Sequence, residues 1–149
     1  MKKVNVLNFK DFLSNLKLNK FDKEIRAAII ANSMIANKIV KDFNETVEGA
    51  RARYTEGLDS EAELLMSLRN KYQFAPVEEK SDIEREIIEK CTGALTAEKE
   101  LNDFINNVLD ENVTEIFVKF NKDNFVDQCV EADIEITVNM LDQLSGLFS

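Results

Sequence analysis

The sequence predicts a mainly α-helical protein with a small β element. Four Gly and one Pro in 149 residues leave little turn material, so the elements should be few and long. Long elements with few turns indicate helices, because strands are short and need frequent punctuation. Apolar residues follow one helical pattern for roughly thirty residues, whereas alternation of apolar and polar residues is confined to the two ends. We therefore expect a long antiparallel helical hairpin, with a two- or three-stranded sheet and short helices formed by the termini.

The length fits a single domain, residues 1–149, large enough to bury a sizeable core. Three sub-regions are expected within it. Residues 1–20 hold a strand and a short helix, and residues 21–110 hold the hairpin. Residues 111–149 form a small β-α-β-α unit that packs with the N-terminus.

The N-terminal sub-region begins with an alternating segment. Residues 4–7 resemble an edge strand, and residues 9–16 follow a helical pattern. Two Lys near the start are typical of a signal peptide, but Lys10 and Asp11 interrupt any apolar core and no cleavage site follows. Two lone cysteines without CxxC spacing indicate free thiols in a reducing compartment. We therefore expect a cytoplasmic protein, or one in the host cytoplasm or virion if a phage encodes it.

A long amphipathic helix is predicted from Asp22, a plausible N-cap, to Tyr54. At 1.5 Å per residue its length is on the order of 50 Å. A compact domain of this size is roughly 30 Å across. Part of the helix should therefore lie in an extended hairpin or pack against a partner.

Five residues on the apolar stripe of this helix are candidates for interaction or register. Asn32 lies near the centre of the stripe, where a polar side chain can fix register or oligomeric state. It can equally be an Asn near a helix crossing that bonds to backbone or water. The apolar candidates are Ile39, Phe43, Val47 and Tyr54.

The return half of the hairpin is punctuated by turn and cap signals. Gly57 is a candidate for the left-handed residue that ends the long helix, and Ser60 with Glu63 has the spacing of a capping box. Pro76 forces a break. A second capping-box spacing, Ser81 with Glu84, begins or continues the next helix, although a turn led by Pro76 could run into it. An interruption is expected near residues 92–93, and the helical pattern then continues to about residue 110.

The C-terminal sub-region alternates between the two kinds of pattern. Residues 113–120 and 133–138 read as strands, because they are rich in β-branched and aromatic residues with near-alternation. Residues 121–132 read as a short helix with Phe125, Cys129 and Val126 as candidates for its inner face. Asn139 is a candidate cap for a final helix. Together with residues 4–7, the two strands would complete the small sheet, since an isolated two-stranded ribbon is marginal.

The charge of the chain is divided unevenly. Residues 1–54 carry eleven Lys/Arg against six Asp/Glu, and residues 55–149 carry eight against twenty-two. The two portions together carry a net charge of −9. Part of the imbalance between them should cancel where oppositely charged helices are neighbours. The surplus serves solubility or faces a basic partner. The basic residues are dispersed, without interleaved aromatic residues, so direct nucleic-acid binding is not expected.

The sequence also argues against catalysis. It contains no His, which removes the commonest general base and transition-metal ligand. Phosphate-binding glycine motifs, zinc-protease motifs and nucleophile elbows are absent. No stretch is long and apolar enough to cross a membrane. We expect no enzyme, no cofactor, no metal site and no membrane association.

The layout of the chain resembles small acidic helical proteins of unknown function encoded by phages and prophages. The resemblance is carried by residues 100–101 and 109–113, which lead into the predicted strand, and by residues 133–136 and 141–144 near the end. It implies an accessory or assembly role. It provides no catalytic residues.

Two functions follow as hypotheses. The first is a non-enzymatic interaction or assembly protein, whose partner is another protein or a second copy of the chain. The alternative is an acidic mimic of nucleic acid that inhibits a DNA-binding protein. The excess of negative charge suggests this hypothesis.

Overall fold

The computed structural model describes all residues from 1 to 149 and is mainly helical, which confirms the predicted class. The α-helices are α1 (Lys3–Ser14), α2 (Lys23–Tyr54), α3 (Asp59–Phe74), α4 (Val77–Lys90), α5 (Thr92–Asp110), α6 (Lys122–Glu131) and α7 (Val138–Leu144). Two single 3-10 turns cover Leu18–Lys20 and Ser145–Leu147.

The chain forms two compact units. Unit 1 consists of Met1–Asn44 together with Val108–Ser149, and unit 2 consists of Glu45–Asn107. Each unit has its own hydrophobic cluster. The two ends of the chain therefore share one core, while the single-domain organisation expected from the sequence stays a prediction.

The core of unit 1 is built around aromatic rings. The buried residues Val6, Phe9 and Leu13 are spaced three and four apart in α1, so they share one helical face. Phe125 of α6 is fully buried at the centre, and its ring lies 5.2 Å from Phe120, measured between centroids. The rings of Phe12, Phe21 and Phe148 lie at 6.5, 5.8 and 6.2 Å from Phe125. These contacts join α1, the segment just before α2, α6 and the C-terminal residues.

The predicted N-cap of α2 is confirmed and is also a link between elements. The Ile25 N–H donates to Asp22 Oδ1 at 2.8 Å. The Asp22 N–H donates to Gln128 Oε1 at 2.8 Å, and Gln128 Nε2 donates to Asp22 Oδ2 at 2.7 Å. The bonds from Ile25 and then Gln128 lower the pKa of Asp22 from its ordinary value. One carboxylate thus caps α2 and holds α6 against its start.

The end of α2 follows the prediction, but the start of α3 does not. Gly57 has φ +75°, the left-handed conformation expected after a helix. The predicted capping box at Ser60 and Glu63 is wrong: α3 starts at Asp59, and its N-cap, Leu58, offers no side-chain bond. The helix instead begins with acidic residues in its first turn, which suit the positive end of the helix dipole.

Pro76 decides between the alternatives at the next break. It occupies the N-cap position of α4, so the helix starts directly after it and Ser81 lies inside. The interruption predicted at residues 92–93 lies one residue earlier, at Cys91, which separates α4 from α5, and residues 92–93 belong to α5. Unit 2 packs α3 and α4 around a cluster formed by Leu65, Leu68, Ile83, Cys91 and Ala94.

The predicted sheet is absent, because none of the three strand candidates forms a strand. Residues 4–7 lie in α1, which also begins before the predicted residue 9. Residues 113–120 and 133–137 have no regular structure, and the pairings seen are isolated bridges, Lys2 with Asn112 and Phe120 with Phe148. A sheet needs two segments that lie side by side over several residues. In this protein each of the two bridges pairs a single residue with a single residue.

The C-terminal helices agree with the prediction except at one cap. α6 matches the predicted helix, with Asn121 as N-cap, Phe125 and Cys129 buried and Val126 half-buried. The cap of α7 is Thr137, whose hydroxyl accepts from the Met140 N–H at 3.2 Å, and not the predicted Asn139. Asp133, with φ +55°, turns the chain between the two helices.

Candidate protein-interaction surfaces

Asn32 lies in α2, on the face that the hydrophobic pattern predicts to be buried, and it is fully buried. Its Nδ2 donates to the Val118 carbonyl at 2.9 Å, and its Oδ1 accepts from the Val118 N–H at 2.8 Å. A side-chain amide has one donor group and one acceptor group in the same arrangement as a peptide unit. Asn32 therefore pairs with Val118 as a neighbouring strand would. This is the backbone-bonded alternative considered for Asn32, and a role in register or oligomeric state stays a prediction.

The four apolar candidates have different surroundings. Ile39 is buried in the core of unit 1. Phe43 and Val47 are half-buried. Tyr54 is half-buried in unit 2, with its ring 6.2 Å from that of Phe104. None of the four is largely exposed, so the structure gives these residues packing roles and leaves their role in partner binding a prediction.

The segment that Asn32 holds has an unusual distribution of polar and apolar groups. Phe117 and Phe120 are buried, but Ile116 is 89% exposed and Val118 is 44% exposed. The Phe120 N–H donates to the Leu147 carbonyl at 3.1 Å, and the Phe120 carbonyl accepts from the Ser149 N–H at 3.0 Å. Even-numbered residues 118 and 120 are thus paired within the protein. The backbone groups of residues 115, 117 and 119 make no hydrogen bond within the protein.

A groove of about 380 Å³ lies along this segment in unit 1. The groove is lined by residues of the segment, by Met1 and Asn5 at the start of the chain, and by Ser145 and Gly146 after α7. Lys119 Nζ donates to the Gly146 carbonyl, and Glu115 lies 3.8 Å from Lys38 Nζ. Odd-numbered residues 113, 115, 117 and 119 all line this groove. The unpaired part of the backbone and the open space therefore belong to the same segment.

A second apolar surface lies at the turn between α3 and α4, which we call the α3–α4 turn (residues 74–77). Phe74 is 84% exposed and Val77 is 82% exposed. Pro76 stands between them and fixes its own φ. Large apolar side chains this exposed, side by side in sequence, are common at protein-binding surfaces. Sequence reasoning treated this turn as a helix break and missed its exposed residues, although their apolar character beside a Pro was visible.

Unit 2 also contains a cleft of about 500 Å³ with an apolar floor. At its edge, the Arg69 guanidinium donates to both carboxylate oxygens of Glu98, at 2.8 and 3.0 Å. This forked bond lowers the pKa of Glu98. Met66 lines the cleft and is largely exposed. The cations and carboxylates at the rim are therefore partly paired with each other.

A structural contact that the sequence did not reveal joins Glu61 to the start of α5. Glu61 Oε1 accepts from the Gly93 N–H at 2.7 Å and from the Ala94 N–H at 3.3 Å. A Cβ on Gly93 would stand 2.8 Å from the Glu61 carboxylate. The glycine therefore lets the carboxylate approach the first turn. Glu61 is distant in sequence, so no local cap signal could have found it.

The cysteines do not form a reactive site. Cys91 and Cys129 are both buried and free. Burial raises the pKa of the Cys129 thiol to about 11. The cause is desolvation, which disfavours the charged thiolate. A thiol with such a pKa is protonated at neutral pH and is a poor nucleophile.

Comparison with protein-family models, curated proteins and solved structures found no significant match. None of the helices combines the length and apolar composition needed for a membrane span. No group of side chains has the composition of a metal-binding cluster.

Proposed function

We propose that this protein is a non-enzymatic interaction or assembly protein that docks a partner protein through the α3–α4 turn. The observation that supports this most directly is the exposure of Phe74 and Val77 on either side of Pro76. The partner site is an apolar pocket with a basic rim.

The α3–α4 turn presents two large apolar side chains to a pocket. A Phe side chain is among the largest apolar surfaces a protein can bury, roughly 150–250 Å². Residues of this kind dominate the binding energy of interfaces. The ring is presented by the last residue of α3 and the aliphatic side chain by the first residue of α4, so both are held by helices. Little conformational entropy is lost when such anchors enter a pocket.

The basic rim of the partner follows from charge. Glu78 and Glu79 lie in the first turn of α4, directly after Val77, and both are exposed. The whole chain carries a net charge of −9. Cations around the pocket would complement the two carboxylates and speed association, as complementary potentials do.

The biological setting is part of the proposal. The layout resembles acidic helical proteins of phages and prophages, which supports an accessory or assembly role in a phage context. A cytoplasmic location, in the host or the virion, goes with that role.

The test is site-specific photo-crosslinking in the native cytoplasm. A benzophenone amino acid replaces Phe74 in one variant and Ser67, which is exposed on α3, in a control variant. We expect one discrete adduct from position 74 and none from position 67. With the partner purified, Phe74→Ser should weaken binding by roughly 100-fold, because a central aromatic anchor is lost.

A matched control is Glu89→Ser, an exposed position on the same helix pair. It should leave the affinity for the purified partner unchanged. Absence of an adduct from position 74, or equal adducts from both positions, would contradict docking through the turn.

The nucleic-acid-mimic alternative remains a proposal with a distinct signature. Binding of that kind is electrostatic, and it collapses when salt screens the charges. Binding through Phe74 is apolar, and it persists at high salt. Measuring the affinity of the purified partner at low and high salt therefore separates the two functions.

A further inference from the structure

We propose that residues 115–119 pair with the same residues of a second copy of this chain, as two short antiparallel strands related by a two-fold axis at Phe117. This rests on the proposed function only in that the protein acts through protein contacts. It uses a surface of unit 1, whereas the α3–α4 turn belongs to unit 2.

The segment has the composition of a strand. Residues 113–120, Val-Thr-Glu-Ile-Phe-Val-Lys-Phe, are β-branched and aromatic to an extent typical of strands. The folded chain provides them with no strand partner. Apart from a bend at Glu115, residues 113–119 have no assigned secondary structure. A segment with unpaired backbone groups is a template for pairing with another chain.

One edge of the segment is free of backbone hydrogen bonds. In an extended chain the backbone groups of successive residues point to opposite edges. The N–H and C=O of Val118 both bond to Asn32, so the edge of residue 118 is occupied. Residues 115, 117 and 119 belong to the other edge, and their backbone groups are unpaired. These same residues line the groove of about 380 Å³.

The charges of the segment favour one register between the two copies. When Phe117 of one copy lies opposite Phe117 of the other in an antiparallel pair, Glu115 lies opposite Lys119 on both sides of the axis. Hydrogen-bonded pairs then fall at 117 with 117 and at 115 with 119, which uses only residues of the free edge. A parallel pairing in register would instead place Glu115 against Glu115. The free edge permits this register, and the opposite charges of Glu115 and Lys119 favour it over registers that place like charges opposite each other.

The same register brings exposed apolar side chains of the two copies together. In this register Ile116 lies opposite Val118 of the second copy, at positions where side chains approach most closely. Ile116 is 89% exposed in the single chain. Cross-strand contact with Val118 would remove part of that apolar surface from water. The segment of this chain therefore matches its own free edge in charge and in apolar side chains.

The experiment measures self-association of the full-length protein by sedimentation velocity up to about 100 µM, a range that covers weak and moderate dimers. The variants are Glu115→Lys, Lys119→Glu and the double variant. We expect the wild-type protein to dimerise. Each single reversal places like charges opposite each other twice and should weaken the dimer by roughly tenfold or more.

The double variant is the decisive control. It restores opposite charges across the axis and should return the dimerisation constant to within about threefold of the wild type. Within one chain it changes both Glu115 beside Lys38 and Lys119 beside the Gly146 carbonyl. If those internal contacts were responsible, the double variant would be the weakest of the three. Circular dichroism of each variant checks that helix content is retained.

The inference is overturned if the wild-type protein remains monomeric throughout this range, or if the double variant is weaker than either single variant. It is also overturned if a dimer forms that the reversals do not affect. Phe74→Ser provides the distinction from the proposed function, since it should leave self-association unchanged. Absence of an adduct from the benzophenone at position 74, with self-association intact, would therefore contradict the docking proposal alone.

Discussion

At the scale of single residues, Asn32 shows how one side chain can replace a strand. Its amide pairs both backbone groups of Val118, and it lies among apolar residues of the core of unit 1. A buried polar group costs free energy unless it is hydrogen-bonded, so the pairing is what permits Asn at this position. The same pairing leaves the far edge of the segment free.

The first prediction concerns this residue. Asn32→Ala should lower the free energy of unfolding by about 1–3 kcal/mol, because the backbone groups of Val118 lose their partner. The measurement is urea unfolding followed by circular dichroism. Asn37→Ala, at an exposed position on the same helix, is the matched control and should change stability by less than about 0.5 kcal/mol. Equal effects of the two substitutions would contradict the role assigned to Asn32.

The sequence alone could predict part of the role of Asn32. The sequence placed Asn32 on the buried stripe and gave backbone bonding as one of two alternatives. It could not identify Val118 as the partner, because the two residues are 86 positions apart in sequence. Asp22 was easier to predict, since its bond to the Ile25 N–H is local.

At the scale of elements, the two glycines near the end of α2 have opposite requirements. Gly49 lies inside the helix, and a Cβ added there would meet nothing within 4 Å, whereas Gly57 has φ +75°. A helix interior favours Ala over Gly, and a positive φ favours Gly over Ala. The same substitution should therefore act in opposite directions at these two positions.

The second prediction follows. Gly49→Ala should raise the free energy of unfolding by about 0.5–1 kcal/mol. Gly57→Ala should lower it by about 1–2 kcal/mol, because alanine is strained in the left-handed region. Thermal unfolding of the two variants beside the wild-type protein provides the comparison. A shift of the melting temperature in the same direction for both would contradict the helix boundary at this point.

The sequence predicted strands wrongly at residues 4–7 and 113–120, because a helix or other parts of the chain provide the contacts that a sheet would have provided. Residues 4–7 alternate like a strand, but Val6 also shares a helical face with Phe9 and Leu13, and that face is the one buried in α1. Residues 113–120 have strand composition, yet a side chain and the C-terminal residues provide their bonds. Strand propensity describes side chains that fit a half-buried pleated surface, and tertiary context decides whether a neighbouring strand exists.

At the scale of the whole molecule, the two units differ in how much they bury. The cluster of unit 1 includes fully buried Phe9, Phe120 and Phe125, whereas the cluster of unit 2 consists of aliphatic residues and a cysteine. α3 and α4 present many exposed residues, among them Met66, Phe74 and Ile88. Local opening costs less free energy where fewer apolar contacts are broken.

The third prediction is that amides of α3 and α4 exchange with solvent at least about tenfold faster than amides of α1 and α6. Hydrogen exchange of the native protein followed by mass spectrometry measures this directly. Peptides from the buried part of α2 in unit 1 serve as an internal reference. Equal protection across both units would show that the molecule opens only as a whole.

The discontinuity of unit 1 has a consequence for the protein as it leaves the ribosome. Residues 45–107 can complete the cluster of unit 2 as soon as they have emerged. The core of unit 1 must wait, because Phe117, Phe120 and Phe125 are translated after every residue of unit 2. Until then Asn32 has no partner, and the apolar residues of α1 and α2 that contact the C-terminal residues remain accessible to chaperones. Vectorial synthesis therefore separates the closure of the two cores in time, and the N-terminal part of the nascent chain is the last to become protected.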